Sequence, residues 1–215
     1  MNKVEKYWEN RYAQGGNSGA GSYGMEAAFK ANIINHWIAQ HDIKTINEIG
    51  CGDGNNLLLY DIPISYVGYD ISPKAIEICN QKTKRIKNAL KYYFTSNLED
   101  MDYDADVCLL LDVWYHLTDD KVFEDLCQTL FVDGNWKYII AYNMDSNSQF
   151  TEDGTAFAPH LQNREFLSKV QEFPKWEVLY WLSGFNTTDG KQVLFPAQKR
   201  LFLLSNTEKN GKVLG

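Results

Sequence analysis

Several features of specialised protein classes are missing from this sequence of 215 residues. No apolar run approaches the roughly 20 residues needed to span a bilayer, and residues 1–6 lack the apolar core of a signal peptide. The four cysteines, at positions 51, 79, 108 and 127, show no close metal-ligand spacing. We therefore expect a reduced, cytoplasmic protein without a membrane span.

An excess of basic charge is also missing. The formal charge is −7, from 28 acidic and 21 basic residues, whereas nucleic-acid-binding proteins usually carry a basic stripe. The one basic run, residues 82–87, lies in a stretch with helical spacing and is expected to be a solvated helix face. The charge balance therefore argues against a large nucleic-acid interface.

The most informative segment that is present is residues 46–57, Ile-Asn-Glu-Ile-Gly-Cys-Gly-Asp-Gly-Asn-Asn-Leu. It predicts the end of a buried strand, a tight glycine turn and the start of a helix. Glycines at 50, 52 and 54 can adopt positive φ and let a ligand approach the backbone, and the helix would offer unpaired N–H groups. Asp70 ends the next apolar run, where a carboxylate can accept hydrogen bonds from both hydroxyls of a ribose.

This arrangement resembles the class I S-adenosylmethionine (SAM) methyltransferases. In that family an E/D-x-G-x-G-x-G motif is followed by an acidic residue at the end of strand two. The dinucleotide fingerprint G-x-G-x-x-G fits less well, because the third glycine falls one position early. The resemblance implies SAM as cofactor, while an oxidoreductase or another nucleotide-binding protein is the alternative.

The rest of the chain alternates short apolar runs with longer amphipathic segments, which is typical of βαβ units. Strands are predicted at 45–49, 66–69, 92–94, 106–112, 138–142, 177–182 and 200–204. Helices are predicted at 25–40, 73–87 with Ser72 as N-cap, from Thr118 or Asp119 to 131, and 164–173. The resemblance implies a Rossmann-like α/β fold with a seven-stranded, mostly parallel sheet, helices on both faces and a C-terminal antiparallel hairpin.

The expected organisation is a single domain with three segments. Residues 1–44 are expected to form N-terminal helices and a glycine-rich lid loop over the cofactor. Residues 45–207 would form the SAM-binding domain, and residues 208–215 a polar tail.

The resemblance also implies a set of cofactor-binding residues. Ile71 and Leu98 would contact the adenine ring and Asn97 its amino group. Arg11 would pair with the methionine carboxylate, although a surface charge is an equal alternative. The full set is Arg11, Glu48, Gly50, Cys51, Gly52 and Gly54 around the methionine portion, Asp70 on the ribose, Ile71, Asn97 and Leu98 at the adenine, and Asp112 and Val113 at the methionine amino group.

Two histidines are candidates for a general base. His116 lies in Leu-Asp-Val-Trp-Tyr-His-Leu, residues 111–117, which resembles the strand-four motif of small-molecule methyltransferases. The alternative is a helix-entry histidine bonded to backbone. His160 follows strand five, and it could share a pocket with Arg164 at i, i+4. Otherwise Arg164 is simply exposed to solvent.

Several segments resemble methyltransferases found beside surface-polysaccharide genes, namely the aromatic N-terminal helix with its glycine loop, residues 112–117, and residues 159–166. This resemblance implies O-methylation of a sugar, sugar phosphate or phosphate-derived group. The expected substrate-binding residues are Tyr23, Trp114, Tyr142, Asn143 and Arg164. Protein or nucleic-acid N-methylation and SAM binding without catalysis are the alternatives.

A metal ion is a weaker hypothesis. Asp112, Asn143 and Asp145 supply oxygen ligands of the kind that Mg²⁺ prefers. They do not reproduce the aspartate pair of Mg²⁺-dependent O-methyltransferases, so no metal site is predicted.

Overall fold

A computed structural model describes residues 3–60, 65–84, 92–144, 161–162, 164–183, 186–188, 191–193 and 199–211. The helices are α1 Lys3–Ala13, α2 Gly24–Gln40, α3 Pro73–Thr83, α4 Asp120–Gln128, α5 Phe166–Val170 and α6 Thr207–Asn210. The strands are β1 Thr45–Ile49, β2 Ser65–Tyr69, β3 Tyr92–Thr95, β4 Val107–Leu111, β5 Tyr138–Met144, β6 Trp176–Ser183, β7 Asn186–Thr188, β8 Lys191–Val193 and β9 Lys199–Asn206.

Seven of the strands form one sheet in the order β3-β2-β1-β4-β5-β9-β6. The pairs from β3 to β5 are parallel, and β9 runs antiparallel to both β5 and β6. The strands β7 and β8 form a separate antiparallel pair. This topology confirms the predicted Rossmann-like fold with its C-terminal antiparallel strands.

Helices cover both faces of the sheet. Ile34 and Ile38 of α2 pack with Leu109 of β4 on one face. Phe123 of α4 and Phe166 of α5 pack on the other face. Every residue of β4 is buried as a result, which explains its continuous apolar sequence.

The predicted strand positions are confirmed to within two residues. Both predicted N-caps are observed, since Ser72 Oγ accepts a hydrogen bond from Ala75 N (3.1 Å) and Asp119 caps α4. The helix expected over 164–173 is shorter, because α5 comprises only Phe166–Val170. The tail expected at 208–215 begins within α6, and its last four residues lie outside the described ones.

The helix predicted to follow the glycine turn is wrong. Up to residue 60 the chain forms only a three-residue 3₁₀ turn, Leu57–Leu59, and β2 begins at Ser65. The crossover from β1 to β2 comprises residues 50–64, and the glycine turn occupies its first third. No long helix therefore points its N-terminus at the glycine turn.

The N-terminal segment packs against the sheet domain. Glu9 of α1 accepts hydrogen bonds from the Ser72 hydroxyl and from Lys74 N (3.0 Å) at the start of α3. Among the described helices, none is long and apolar enough to cross a membrane.

Candidate active site

A cavity of about 280 Å³ lies at the carboxyl ends of β1, β2 and β4. Its sheet side is formed by the glycine turn and the residues after β2, β3 and β4: Ile49, Gly50, Gly52, Tyr69, Asp70, Ile71, Leu98, Leu111, Asp112 and Val113. The N-terminal segment contributes Val4, Trp8, Tyr12, Ser18 and Ser22. The third wall consists of His116, Leu117, Val122, Asp125 and Leu126.

Side chains from two other segments lie close to the backbone of the glycine turn. Gly50 has φ +78°, and a Cβ there would lie 2.2 Å from Val113 Cγ2. Gly52 has φ +57°, and its Cβ would lie 2.2 Å from Ser18 Oγ. Because both positions combine left-handed backbone with no space for a side chain, only glycine fits them.

The N–H groups of this turn are used within the protein. The bonds run from Gly50 N and Cys51 N to Tyr69 O (2.7 and 2.9 Å), from Gly52 N to Asp70 Oδ2 (2.9 Å), from Asp53 N to Ser18 Oγ (2.8 Å) and from Gly54 N to Cys51 O (3.1 Å). The unpaired N–H groups were expected from the helix after the turn, and the described residues form only the 3₁₀ turn Leu57–Leu59 there. Gly50 and Gly52 line the cavity, so the turn gives a ligand space at its backbone.

Asp70 is the acidic residue best placed to bind a sugar. Its carboxylate accepts hydrogen bonds from Gly52 N and Ser72 N, each at 2.9 Å. Burial raises the pKa of Asp70 to about 6, against the opposing effect of these two N–H groups. Each carboxylate oxygen has a second acceptor position, so Asp70 can also receive two hydroxyl groups from the cavity.

Asp112 has a different environment at the end of β4. Its carboxylate contacts Lys30 Nζ at 2.6 Å and Lys199 Nζ at 2.9 Å, and it accepts a hydrogen bond from Tyr115 OH (2.7 Å). Burial alone would raise the pKa of Asp112, but the two ammonium groups hold it well below its usual range. The predicted contact with a methionine amino group would have to compete with these two lysines.

Asp53 fastens the N-terminal segment to the glycine turn. Its carboxylate accepts hydrogen bonds from Ser18 Oγ (2.8 Å) and from the Tyr23 hydroxyl, and it lies 3.2 Å from Lys82 Nζ. The Tyr12 hydroxyl is 3.0 Å from Ser18 Oγ. Tyr23, predicted to bind substrate, is thus placed against Asp53 and outside the cavity lining.

His116 lies in the cavity wall, as its candidacy for general base requires. His116 ends the 3₁₀ turn Trp114–His116, and its backbone N–H donates a hydrogen bond to Val113 O (2.9 Å). Its ring is perpendicular to that of Trp8, with centroids 5.1 Å apart. His160 lies outside the described residues, so its predicted pairing with Arg164 stays a prediction.

The other predicted substrate-binding residues lie behind the wall. Trp114, Tyr142 and Asn143 are fully buried. Trp114 packs on Phe123, and Asn143 Oδ1 accepts a hydrogen bond from Trp114 N (3.4 Å). Arg164 donates to Leu117 O at 2.9 and 3.1 Å. The structure gives these four residues positions that support the wall, because the chain turns sharply after β4 and directs Trp114 into the core.

Five of the predicted cofactor-binding residues, among them Cys51 and Gly54, do not line the cavity. Asn97 is exposed and accepts a hydrogen bond from Glu99 N (3.3 Å). Arg11 Nε donates to Asn17 O at 2.6 Å. Glu48 is buried on β1, where it accepts a hydrogen bond from Tyr66 OH (2.7 Å).

The structure adds lining residues that the sequence reasoning missed. Val4, Trp8 and Tyr12 follow one another at i, i+4 spacing on α1, and that spacing was a usable signal for one helix face. Ser18 and the α4 residues Val122, Asp125 and Leu126 had no such signal. No three acidic, histidine or cysteine side chains cluster as a metal site within the described ranges.

The cavity therefore combines a turn without side chains, a carboxylate with spare acceptor positions and apolar walls, which fits an adenosyl group with a methionine tail. A family model described as a methyltransferase domain matches residues 47–135. These residues include the glycine turn, Asp70 and His116. This match covers less than half of the chain, and together with the fold it supports SAM-dependent methyltransferase activity.

Solved structures share the fold of this SAM-dependent methyltransferase. The N-methyltransferase NodS from Bradyrhizobium japonicum WM9, in complex with S-adenosylhomocysteine (SAH), aligns with TM-score 0.67 and 12% identity over 95% of this chain and 99% of that one. Magnesium protoporphyrin IX methyltransferase (ChlM) from Synechocystis PCC 6803, with bound SAH, aligns with TM-score 0.65 and 14% identity over 95% and 100%. The 16S rRNA methylase ArmA aligns with TM-score 0.60 and 16% identity over 96% and 99%. A search of curated proteins gives no match.

Proposed function

We propose that this methyltransferase is a cytoplasmic enzyme that O-methylates a small polar acceptor, such as a sugar, sugar phosphate or phosphate-derived group in glycan biosynthesis. The observation that carries the proposal is the position of His116 in the wall of the cavity, beside Trp8. An alcohol acceptor must lose its proton as the methyl group arrives, and an imidazole is the side chain best suited to take it near neutral pH.

The cavity supports a definite orientation for SAM, which supplies the methyl group when bound. Gly50 and Gly52 would receive the methionine portion, because only there does the floor lack side chains. Asp70 would accept hydrogen bonds from the ribose hydroxyls. The apolar side chains of Ile71, Leu98 and their neighbours on the third wall would contact the adenine.

Under this proposal the acceptor enters beside α1. Trp8 and Tyr12 belong to that helix, and Trp8 approaches His116 with its ring edge-on. The edge-on contact with Trp8, which itself stacks on Tyr12, would restrict rotation of the imidazole. Positioning of the acceptor and exclusion of water contribute much of the rate in such a displacement.

The charges of the described lining favour an uncharged sugar over a phosphate-bearing one. Asp70, Asp112 and Asp125 line the cavity, and no lysine or arginine does so among the described residues. A phosphate group would need a cationic partner from elsewhere. The same carboxylates support an amine acceptor, which makes N-methylation the second candidate function.

Replacement of His116 by Asn tests the proposal. With a panel of sugars, sugar phosphates and amines, we expect SAH formation from a hydroxyl acceptor to fall about 10²–10⁴-fold. The affinity for SAH should stay unchanged, because His116 acts on the acceptor. The matched control is His36→Asn on the exposed side of α2. Full activity of His116→Asn with a hydroxyl acceptor would refute the base, and turnover of amines alone would favour N-methylation.

A further inference from the structure

Four charged side chains form ion pairs on the α2 side of the cavity, and a fifth, Glu48, lies within range of the charge of Lys30. Glu26 and Lys30 come from α2, Glu48 from β1, Asp112 from β4 and Lys199 from β9. Lys30 and Lys199 both contact Asp112, at 2.6 and 2.9 Å, and Lys199 also pairs with Glu26. Asp112 lines the cavity, so the cluster reaches the place where SAM would lie.

The cluster contains three carboxyl groups and only two ammonium groups. Lys30 and Lys199 are already bound to Asp112, and Lys199 to Glu26. Glu48 is 1% exposed, and its Oε2 atom accepts a hydrogen bond from Tyr66 OH (2.7 Å). Its Oε1 atom receives none from any described residue. An uncompensated buried charge is costly, so Glu48 is the member of the cluster best suited to take up a proton.

The surroundings of Glu48 leave its protonation balanced near neutral pH. Burial raises the pKa of Glu48 to about 7, while the Tyr66 hydroxyl, the charge of Lys30 and the Tyr60 side chain oppose this rise. The negative charge of Asp70 adds to it. The thiols Cys51 and Cys108 also lie near, and burial keeps their pKa values well above the ordinary thiol value.

We propose that Glu48 exchanges a proton with solvent as the charge in the cavity changes, being ionised when the sulfonium of SAM is bound and protonated when neutral SAH is bound. This inference rests on SAM binding in the cavity described above. SAM and SAH differ only by the methyl group and its positive charge. A buried carboxylate beside the cavity therefore stabilises SAM selectively, and its protonation lets the product dissociate.

The proton balance closes over one cycle. Transfer of the methyl group from SAM to a hydroxyl breaks the sulfonium carbon–sulfur bond, forms a carbon–oxygen bond and releases one proton from the acceptor. Glu48 takes up one proton when the cavity loses its positive charge. It gives that proton back when SAM replaces SAH, so the group acts as a counter-charge and is not consumed.

The test is the number of protons released when each ligand binds. Calorimetric titration with SAM and with SAH, at pH 7 in two buffers of different ionisation enthalpy, measures this number. We expect SAM to release on the order of half a proton more than SAH, because a group at its pKa holds half a proton. Asp70 contributes equally to both titrations, since both ligands carry the same ribose. Glu48→Gln should abolish the difference, and the exposed control Glu124→Gln should keep it.

Each other outcome has a defined meaning. Equal proton release by SAM and SAH in the unmodified protein would overturn the inference. A difference that persists in Glu48→Gln would also overturn it and assign the proton to another group at the cavity, such as Asp70 or His116. If neither ligand binds the unmodified protein, the assignment of the cavity to SAM is itself wrong.

A second variant keeps the inference testable if Glu48→Gln does not fold. Tyr66→Phe removes the hydrogen bond to the ionised carboxylate. The pH at which the SAM–SAH difference is largest should then move upward. An unchanged pH in Tyr66→Phe would overturn the proposal.

Discussion

Asp70 and Asp112 end the two strands that flank β1, yet their environments are opposite. The Asp70 carboxylate is held by two backbone N–H groups, and its pKa is raised to about 6. The Asp112 carboxylate lies between Lys30 and Lys199, and its pKa is well below the usual range. The Asp70 carboxylate thus keeps acceptor positions for a ligand, whereas the Asp112 carboxylate is already paired with lysines of α2 and β9. A position at the end of a parallel strand does not by itself assign a carboxylate to ligand binding.

The largest expected effect is a loss of stability when the ion pairs around Asp112 are removed. Lys199→Met leaves Glu26 without its ion-pair partner and Asp112 with only Lys30. Because both carboxylates are buried, the free energy of unfolding should fall by about 3–5 kcal/mol. Urea unfolding followed by circular dichroism measures the change.

The control for that experiment is an exposed lysine in an ion pair. Lys121 pairs with Asp125 one helical turn away, at 2.6 Å, with both side chains largely exposed. Lys121→Met should leave the free energy of unfolding nearly unchanged. Equal stability of the two variants would show that the buried cluster does not stabilise the fold.

The next largest expected effect is a loss of SAH affinity when the charge of Asp70 is removed. Asp70→Asn retains the shape but removes the charge that would accept hydrogen bonds from the ribose hydroxyls. A hydrogen bond to a charged group contributes about 1.5–3 kcal/mol, so the affinity for SAH should fall roughly 10–150-fold. Calorimetric titration measures the loss, and the exposed Asp104→Asn serves as control. Unchanged SAH affinity in Asp70→Asn would place the ribose elsewhere.

The contributions of the two aspartates to stability should change with pH in opposite directions. Because the folded pKa of Asp70 is raised, its favourable contribution to stability is full below the unfolded pKa of about 4 and is lost as the pH rises through about 6. The folded pKa of Asp112 is lowered, so its contribution is present above the unfolded pKa and is lost only in strong acid.

Thermal unfolding between pH 4 and 7, compared between the unmodified protein and Asp70→Asn, separates the Asp70 contribution from that of Glu48, whose pKa is also raised. The Tm of the ligand-free protein should decline over this range by a few degrees, and the decline should be smaller in Asp70→Asn. Added SAH should raise the Tm more at pH 7 than at pH 5, since the ionised carboxylate is the better acceptor. An identical slope in Asp70→Asn would contradict the raised pKa.

The fold could be predicted from the sequence because its signals are local. Apolar runs locate the strands, and the glycine spacing locates a turn whose positive φ angles at Gly50 and Gly52 are observed. Contacts between distant residues could not be predicted, since nothing near Asp112 in the sequence indicates that Lys30 and Lys199 converge on it.

The site was predicted in part for the same reason. The predicted residues that line the cavity include Gly50, Gly52, Asp70, Leu98 and His116. Each lies in the segment that follows the carboxyl end of a strand. The aromatic residue Trp114 was expected in the same wall, but one 3₁₀ turn directs it into the core. A turn of that kind changes which side chain faces the ligand without leaving a periodic pattern in the sequence.

The smallest expected effect concerns Arg11. The resemblance pairs it with the methionine carboxylate, whereas its Nε atom lies 2.6 Å from Asn17 O, and the side chain does not line the cavity. Arg11→Ala should therefore change the affinity for SAH less than about threefold, while Leu98→Ala, which removes a lining side chain, should reduce it more. Calorimetric titration of both variants measures the contrast. A loss of tenfold or more in Arg11→Ala would mean that α1 turns its arginine towards the ligand on binding. Asp70 would then no longer be the dominant polar anchor, because the cavity would close around the methionine carboxylate as well as the ribose.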